Sequence, residues 1–189
     1  MEGYYDHHPT AHLERPLAIT GFCGAGVEAV AHSVSWRTGI PFFSSDRQLE
    51  HDLGTDLAVA HLTFADRLVE LERAVIKRAL ARRPPPVIAL GDASLVDAPT
   101  LERVTQAATL VYLTGDPAEL LRRIHAARAQ NPSRYLPTVP LDLDDPAALE
   151  PLIATREPGY RRAQHVLPIA GRHPHTLAAA ILELLGVPV

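Results

Sequence analysis

At 189 residues, with 47% hydrophobic and 21% charged positions, the chain has the size and balance of one soluble globular domain with a sizeable core. A net charge of -4 without blocks of one sign excludes a nucleic-acid surface. No apolar run approaches the roughly 20 residues of a membrane span, and the start MEGYYDHHPTAHLERP lacks the regions of a secretion signal, so the expected location is the cytoplasm.

Residues 1–14 are polar and aperiodic and read as a flexible N-terminal arm, with 15–189 as the folded domain. RPLAITG (15–21) reads as a buried strand, VEAVAHSVSWRTG (27–39) as a helix stopped by Gly39, and IPFF (40–43) as a second strand. SSDRQLEHDLG (44–54) reads as a capped helical turn. From Thr55 to Arg83 the spacing of Leu62, Leu68, Leu71, Val75, Ile76 and Leu80 predicts one long helix. PPPVIALG enters a third strand, TLERVTQA a helix, TLVYLTG a fourth strand, and DPAELLRRIHAARAQ a helix with Asp116 as N-cap and Pro117 in its first turn. The proline-rich stretch at about 130–146 is too long for an ordinary connection and is a lid candidate. Helix, strand and helix close the chain. This alternation predicts an α/β fold of three layers, a parallel sheet of five strands flanked by helices.

The most informative segment is LAITGFCGAGVEAV (17–30), a strand, a loop bearing Gly21, Gly24 and Gly26, and a helix. Ligands of parallel sheets sit at the carboxyl ends of the strands, and glycines there let backbone amides approach phosphates. The phosphate-binding pattern GxxxxGK[ST] demands a lysine and a hydroxyl after its last glycine, where this chain has Val27 and Glu28. Spacing alone leaves a second reading open, in which the glycines serve only a tight strand-to-helix turn. Lys77 is the chain's sole lysine, so no other lysine replaces the missing one.

Read end to end, residues 15–187 resemble the shikimate kinases, small P-loop kinases of the nucleoside-monophosphate-kinase fold. The resemblance rests on order: ITGFCGAG for the phosphate loop, FFSSD for an Asp-x-Asp after strand two, VIALGDA for a triple glycine after strand three, LVYLTGDPAELLRRI for strand four and its helix, SRYL in the lid, REPGYRRA near the family's Arg-x-x-x-Tyr, and GRHP for the late adenine loop. It implies that Arg123 and Pro174 sandwich an adenine, that Arg134 in the lid reaches a phosphate, that Asp46 bonds substrate hydroxyls, and that Gly91 and Arg156 border the substrate. Left to the residues alone, Arg123 reads equally as a solvated helix residue and Asp46 as a helix N-cap after Ser45.

The departures cluster on the chemistry. Val27 removes the loop cation, Glu28 brings an acid, Ser44 replaces a metal-supporting aspartate, and Val69 stands where the family has a substrate arginine. Asp92 adds a negative charge where a substrate carboxylate would approach. At an effective dielectric near 20, a unit charge about 4 Å from another is worth roughly 4 kcal/mol, so an acid in the loop predicts strongly weakened triphosphate binding. Two readings of Glu28 stand: the protein's own anion on the helix dipole, or a bystander to a loop that takes phosphate through amides alone.

The function expected from these departures is a pseudoenzyme with a degenerate loop, a binding, regulatory or scaffold protein with a protein partner and at most weak adenine-nucleotide binding. No cofactor is certain, ATP binding is expected to be weak, magnesium is not expected, and no catalytic residue is assigned. The alternative is an active ATP-dependent small-molecule kinase with a rearranged phosphate site and a substrate other than shikimate, one without a carboxylate. Other candidates read as bland. His7, His8, His12, His173 and His175 lack carboxylate or cysteine company and read as solvated, so no metal site is assigned. Cys23 lies near a helix N-terminus, which can lower a thiol pKa, but reads as packing.

Overall fold

The computed structural model describes residues 11–130 and 144–187. Arg134 and most of the lid candidate lie outside the described residues. Five strands form one parallel sheet in the order β2-β3-β1-β4-β5: β1 (Leu17–Gly21), β2 (Phe42–Ser44), β3 (Val87–Ala89), β4 (Thr109–Thr114) and β5 (His165–Pro168). The central strands carry continuous apolar runs because both faces of a parallel sheet are covered. Every residue of β1 is buried, and Leu17, Ala18 and Ile19 pair with Val87, Ile88 and Ala89 on one side and with Thr109, Leu110 and Val111 on the other.

The strand order places the reversal at β1, whose neighbours β3 and β4 come later in the chain. Loops leaving such a switch point diverge and open a crevice at the carboxyl ends. The loop after β1 therefore stands at the position where this architecture takes ligands.

Eight helices surround the sheet among the described residues: α1 (Val27–Thr38), α2 (Ser45–Leu53), α3 (Leu57–Thr63), α4 (Ala65–Leu80), α5 (Ala98–Ala107), α6 (Pro117–Gln130), α7 (Glu150–Tyr160) and α8 (Pro174–Leu184). Their starts follow capping chemistry. Ser44 accepts from the Arg47 amide, Asp56 from Val59, Asp97 from Thr100, and Asp116 from Glu119, each satisfying an amide that the helix itself leaves open. None of the described helices is long and apolar enough to cross a membrane.

Two expectations are corrected. The single helix predicted from Thr55 to Arg83 is two, broken at Phe64, whose backbone leaves the helical region at φ -122° and ψ 22°. Phe64 packs against the core, whereas Leu62, a member of the predicted stripe, is 87% exposed. The apolar stripe reads across the break because periodicity does not register a change of axis. At the other end, Ala11 is buried and Leu13 packs against the core, so the folded body takes in residues that the sequence assigns to the arm.

Candidate functional site

The site is built at the carboxyl ends of β1, β2 and β3. Its first wall is the loop from Gly21 to Gly26. The turn is closed by the Ala25 amide donating to the Phe22 carbonyl at 2.9 Å. A Cβ on Gly21 would stand 2.8 Å from the Leu113 carbonyl oxygen, and one on Gly24, at φ +86°, would stand 2.6 Å from the Leu120 carbonyl oxygen. Those two glycines are required by the close packing of the loop on β4 and α6. Gly26 differs. It caps α1 at φ +77° with no side-chain hydrogen bond to the helix, and a Cβ there would meet nothing closer than an Arg123 nitrogen at 4.0 Å. The amides of the first turn thus open toward an uncrowded space, the arrangement that binds anions at helix N-termini.

Val27 is half-buried and packs against the core. Glu28 does not stand as an unmatched anion: its Oε1 forms an ion pair with Nη2 of Arg47, which projects from the first turn of α2. Arg47 thus balances the charge that Glu28 brings to the loop. Arg47 is the residue that sequence reasoning missed. Its signal was weak, because pairing across 19 positions depends on how α2 sits against α1.

The second wall holds the substrate-side candidates. Asp46 is not the N-cap of α2; Ser44 holds that position, which leaves the Asp46 carboxylate directed toward Gly91. A Cβ on Gly91 would lie 2.5 Å from Asp46 Oδ1 and 3.1 Å from both Glu72 Oε1 and Ser94 Oγ, so glycine at this point is what lets the two acids converge. The Gly91 amide donates to Ser45 Oγ at 2.9 Å, tying β3's exit to α2. Ser94 Oγ donates to Glu72. Burial, reinforced by Glu72, Asp92, Glu28 and Glu50, pushes the Asp46 carboxyl up to about 7. Glu72 is raised as well, first by burial and then by Asp92 and Asp97, against a lowering by the Ser94 hydroxyl.

Arg156 is buried and already engaged. Its Nε lies 3.2 Å from Asp92 Oδ2, its Nη1 donates to the Leu152 carbonyl at 2.7 Å and to Thr155 Oγ1 at 3.1 Å, and its guanidinium lies 5.2 Å from the centre of the Phe22 ring. Asp92 in turn accepts from Cys23 Sγ at 3.3 Å, while its carbonyl accepts the Tyr160 hydroxyl at 2.5 Å. Tyr160 is fully buried, stacks on Tyr112 at 4.8 Å, and has its phenol raised first by burial and then by the Asp92 charge. Cys23 packs against the core, as expected, and joins this polar network through Asp92. Val69, on the substrate-arginine position, is half exposed on α4.

Arg123, on α6, reaches the loop after β5: its Nη2 donates to the carbonyls of Ile169 at 3.1 Å and Arg172 at 3.4 Å. Pro174 opens α8 at its first position, two residues beyond that contact. The structure thus gathers Gly26, Arg123 and Pro174's loop at one end of the crevice and Asp46, Gly91 and Arg156 at the other. His12, His173 and His175 are exposed, and the last two stack at 5.0 Å. His7 and His8 lie outside the described residues.

A metal site was tested on the donors present. Glu28 and Ser44 offer oxygen, the class that magnesium takes. Both are committed, Glu28 to Arg47 and Ser44 Oγ to the Arg47 amide at 3.3 Å. Among the described residues no group of three or more His, Cys, Asp and Glu side chains is arranged to hold a metal ion. The donor set does not form a metal site by itself.

Comparison with known proteins gives a consistent result. A family model described as Shikimate kinase matches residues 23–186. The chain is 30% identical over 173 residues to a shikimate kinase of Paramagnetospirillum magneticum, covering 90% of this chain and 84% of that one. It is 29% identical over 182 residues to a shikimate kinase of Paracidovorax citrulli, covering 90% and 93%. Its fold is similar to that of the shikimate kinase from Acinetobacter baumannii solved in complex with shikimate, with a TM-score of 0.78, 23% identity and coverage of 90% and 92%.

These matches correct the expectation of a non-catalytic regulatory or scaffold protein: the relatives aligning over nine-tenths of the chain are kinases. The physical reason for the error is visible at Glu28, whose charge Arg47 balances. The chain belongs to the shikimate kinase family.

Proposed function

We propose that the chain is an ATP-dependent phosphotransferase that phosphorylates a hydroxyl group of a small molecule, using a phosphate site rearranged around Val27 and Glu28. The observation that carries this reading is the convergence, in a chain of this family, of an uncapped α1 N-terminus on one side of the crevice with the Asp46 carboxylate on the other. The loop amides hold the polyphosphate. Asp46 accepts the proton of the attacking hydroxyl as the new oxygen–phosphorus bond forms and the bond between the γ-phosphorus and the bridging oxygen breaks, releasing ADP. A carboxyl pushed up to about 7 is matched to that proton transfer at neutral pH. Adenine is read as lying between Arg123 and Pro174.

The substrate is read as a polyol without a carboxylate, and not shikimate. Arg156, the cation that would hold a carboxylate, is already paired with Asp92, and Asp46 and Glu72 bring further acid to neighbouring Gly91. An incoming carboxylate would have to displace an internal ion pair and approach further like charge. ADP release would be measured with magnesium and ATP over a panel of polyols that includes shikimate. Turnover of a carboxylate-free polyol, abolished in Asp46→Asn, is expected. Turnover of shikimate alone would overturn the substrate reading. No turnover with any compound and no rise in melting temperature at millimolar ATP would overturn the kinase reading, because a bound nucleotide must stabilise the folded state.

A further inference from the structure

If the loop works as a phosphate cradle, some cation must stand where Val27 leaves none, and the described residues offer few. Arg156 is committed to Asp92 and Arg47 to Glu28. Lys77 is exposed to solvent in the last turn of α4, more than a helical turn beyond Glu72 at the crevice wall.

Arg123 is placed differently. Its Nε donates to Glu119 Oε1 at 2.6 Å, one helical turn earlier, and its Nη2 is spent on the Ile169 and Arg172 carbonyls. A guanidinium is planar, so fixing two of its nitrogens fixes the direction of the third. That third nitrogen, Nη1, is the one 4.0 Å from the position of a Cβ on Gly26. Gly26 is the N-cap of α1 and opens the run of amides that the family uses for phosphate. Glu119 does not cancel the charge, because Arg122 binds the same carboxylate through Nε at 2.8 Å and Nη2 at 2.9 Å, so two guanidiniums share one acid. The side chain is also pre-organised: only about a fifth of it is exposed, and its rotamer is held from both sides before any ligand arrives.

We propose that Arg123 supplies the positive charge of the phosphate site in place of the missing loop lysine, with Nη1 and the first-turn amides of α1 holding the same phosphate oxygens. This inference rests on the kinase reading. It gives Arg123 a role beyond stacking on adenine, and the two roles separate by ligand. A stacking arginine serves adenosine and ADP alike, whereas a phosphate arginine serves ADP and pyrophosphate and leaves adenosine untouched.

The test titrates ADP, adenosine and pyrophosphate calorimetrically into the full chain, its Arg123→Gln and its Arg123→Lys variants, with melting temperatures as a check on folding. Arg123→Gln is expected to weaken pyrophosphate about tenfold, and to weaken ADP about tenfold more than adenosine, which loses only the stacking contact. Arg123→Lys, which restores charge without the planar fork, is expected to recover part of the pyrophosphate affinity. Equal losses for adenosine and ADP, or unchanged affinity for all three ligands, would overturn the proposal while leaving the kinase reading in place. Failure of the unsubstituted chain to bind ADP would overturn both. If Arg123→Gln fails to fold, Arg123→Lys decides alone: pyrophosphate affinity must then fall while adenosine affinity holds.

Discussion

The two ends of the crevice are built on different principles. At the nucleotide end the geometry is made by glycines and backbone, with Gly21 and Gly24 pressed against the carbonyls of Leu113 and Leu120 and Gly26 facing open space. At the substrate end it is made by charge: Asp46, Glu72 and Asp92 gather around Gly91 with one arginine among them. A backbone site tolerates changes of side chain, which is how the loop keeps its shape with Val27 and Glu28 in it. A site made of buried charges tolerates little, because each group sets the electrostatics of its neighbours.

The largest effect is expected where the backbone end is broken directly. Gly24→Ala would force a side chain into the left-handed region and drive its Cβ against the Leu120 carbonyl oxygen at 2.6 Å. That oxygen is backbone and cannot swing aside, so strain and overpacking add to about 4 kcal/mol. Chemical denaturation and a melting temperature lower by roughly 12 °C would show it. Gly26→Ala shares the strained φ but lacks the clash, and is expected to cost about 1 to 2 kcal/mol. Equal losses at the two positions would mean that the packing distinction between them is wrong.

Next comes the charged end. Arg156→Met removes the cation paired with Asp92, and both side chains are only about a tenth exposed, so about 3 kcal/mol of stability is expected to go. Asp92→Asn added to Arg156→Met removes the charge that has lost its cation and is expected to return more than half of the loss. A double variant no more stable than Arg156→Met alone would show that the arginine matters through packing on Phe22 and not through the ion pair.

How much of this was legible in the sequence divides along the same line. The β1 loop, the parallel five-stranded sheet and the cap at Asp116 follow from apolar runs, glycine spacing and short polar residues, all of which are local. The partners of the charges are not local. Arg156 and Asp92 come from segments far apart in the chain, and Arg47 meets Glu28 only because the first turn of α2 reaches the first turn of α1. Read without those partners, Glu28 and Asp92 look like charges that spoil a site; with them, they are halves of ion pairs. The break at Phe64 escaped for a related reason, since the side chain that turns inward there continues the periodicity of the helix it ends.

Asp46 sharpens the comparison through pH. Its carboxyl ordinarily titrates near 3.8 and is pushed up to about 7 in the fold, so the folded chain holds a proton that the unfolded chain has released. Between those values the folded state binds more protons than the unfolded one, and stability from this group falls as pH rises from about 4 to about 7. Asp46→Asn is therefore expected to stabilise the chain at pH 8 and to have no effect near pH 4, read as a melting-temperature gain of several degrees that vanishes on acidification. The same variant should abolish turnover. A gain independent of pH would place the effect in packing.

The smallest effect is also the one that tests the boundary between the two ends. Glu28 belongs to the loop by position and to the charged end by its partner, Arg47, whose side chain is 61% exposed. An ion pair that open contributes well under about 1 kcal/mol, so Glu28→Gln should leave the melting temperature within about 2 °C. Its effect on ADP affinity separates two physical pictures. If the carboxylate stood unmatched over the amides, its removal would relieve roughly 4 kcal/mol of repulsion and tighten ADP about a thousandfold. With Arg47 balancing it, the gain should be about threefold and should shrink further in 1 M salt, where screening acts over roughly 3 Å. Titration of ADP into both chains at low and high salt measures the difference, and a gain near the larger figure would return Glu28 to the role of an anion seated in its own cradle.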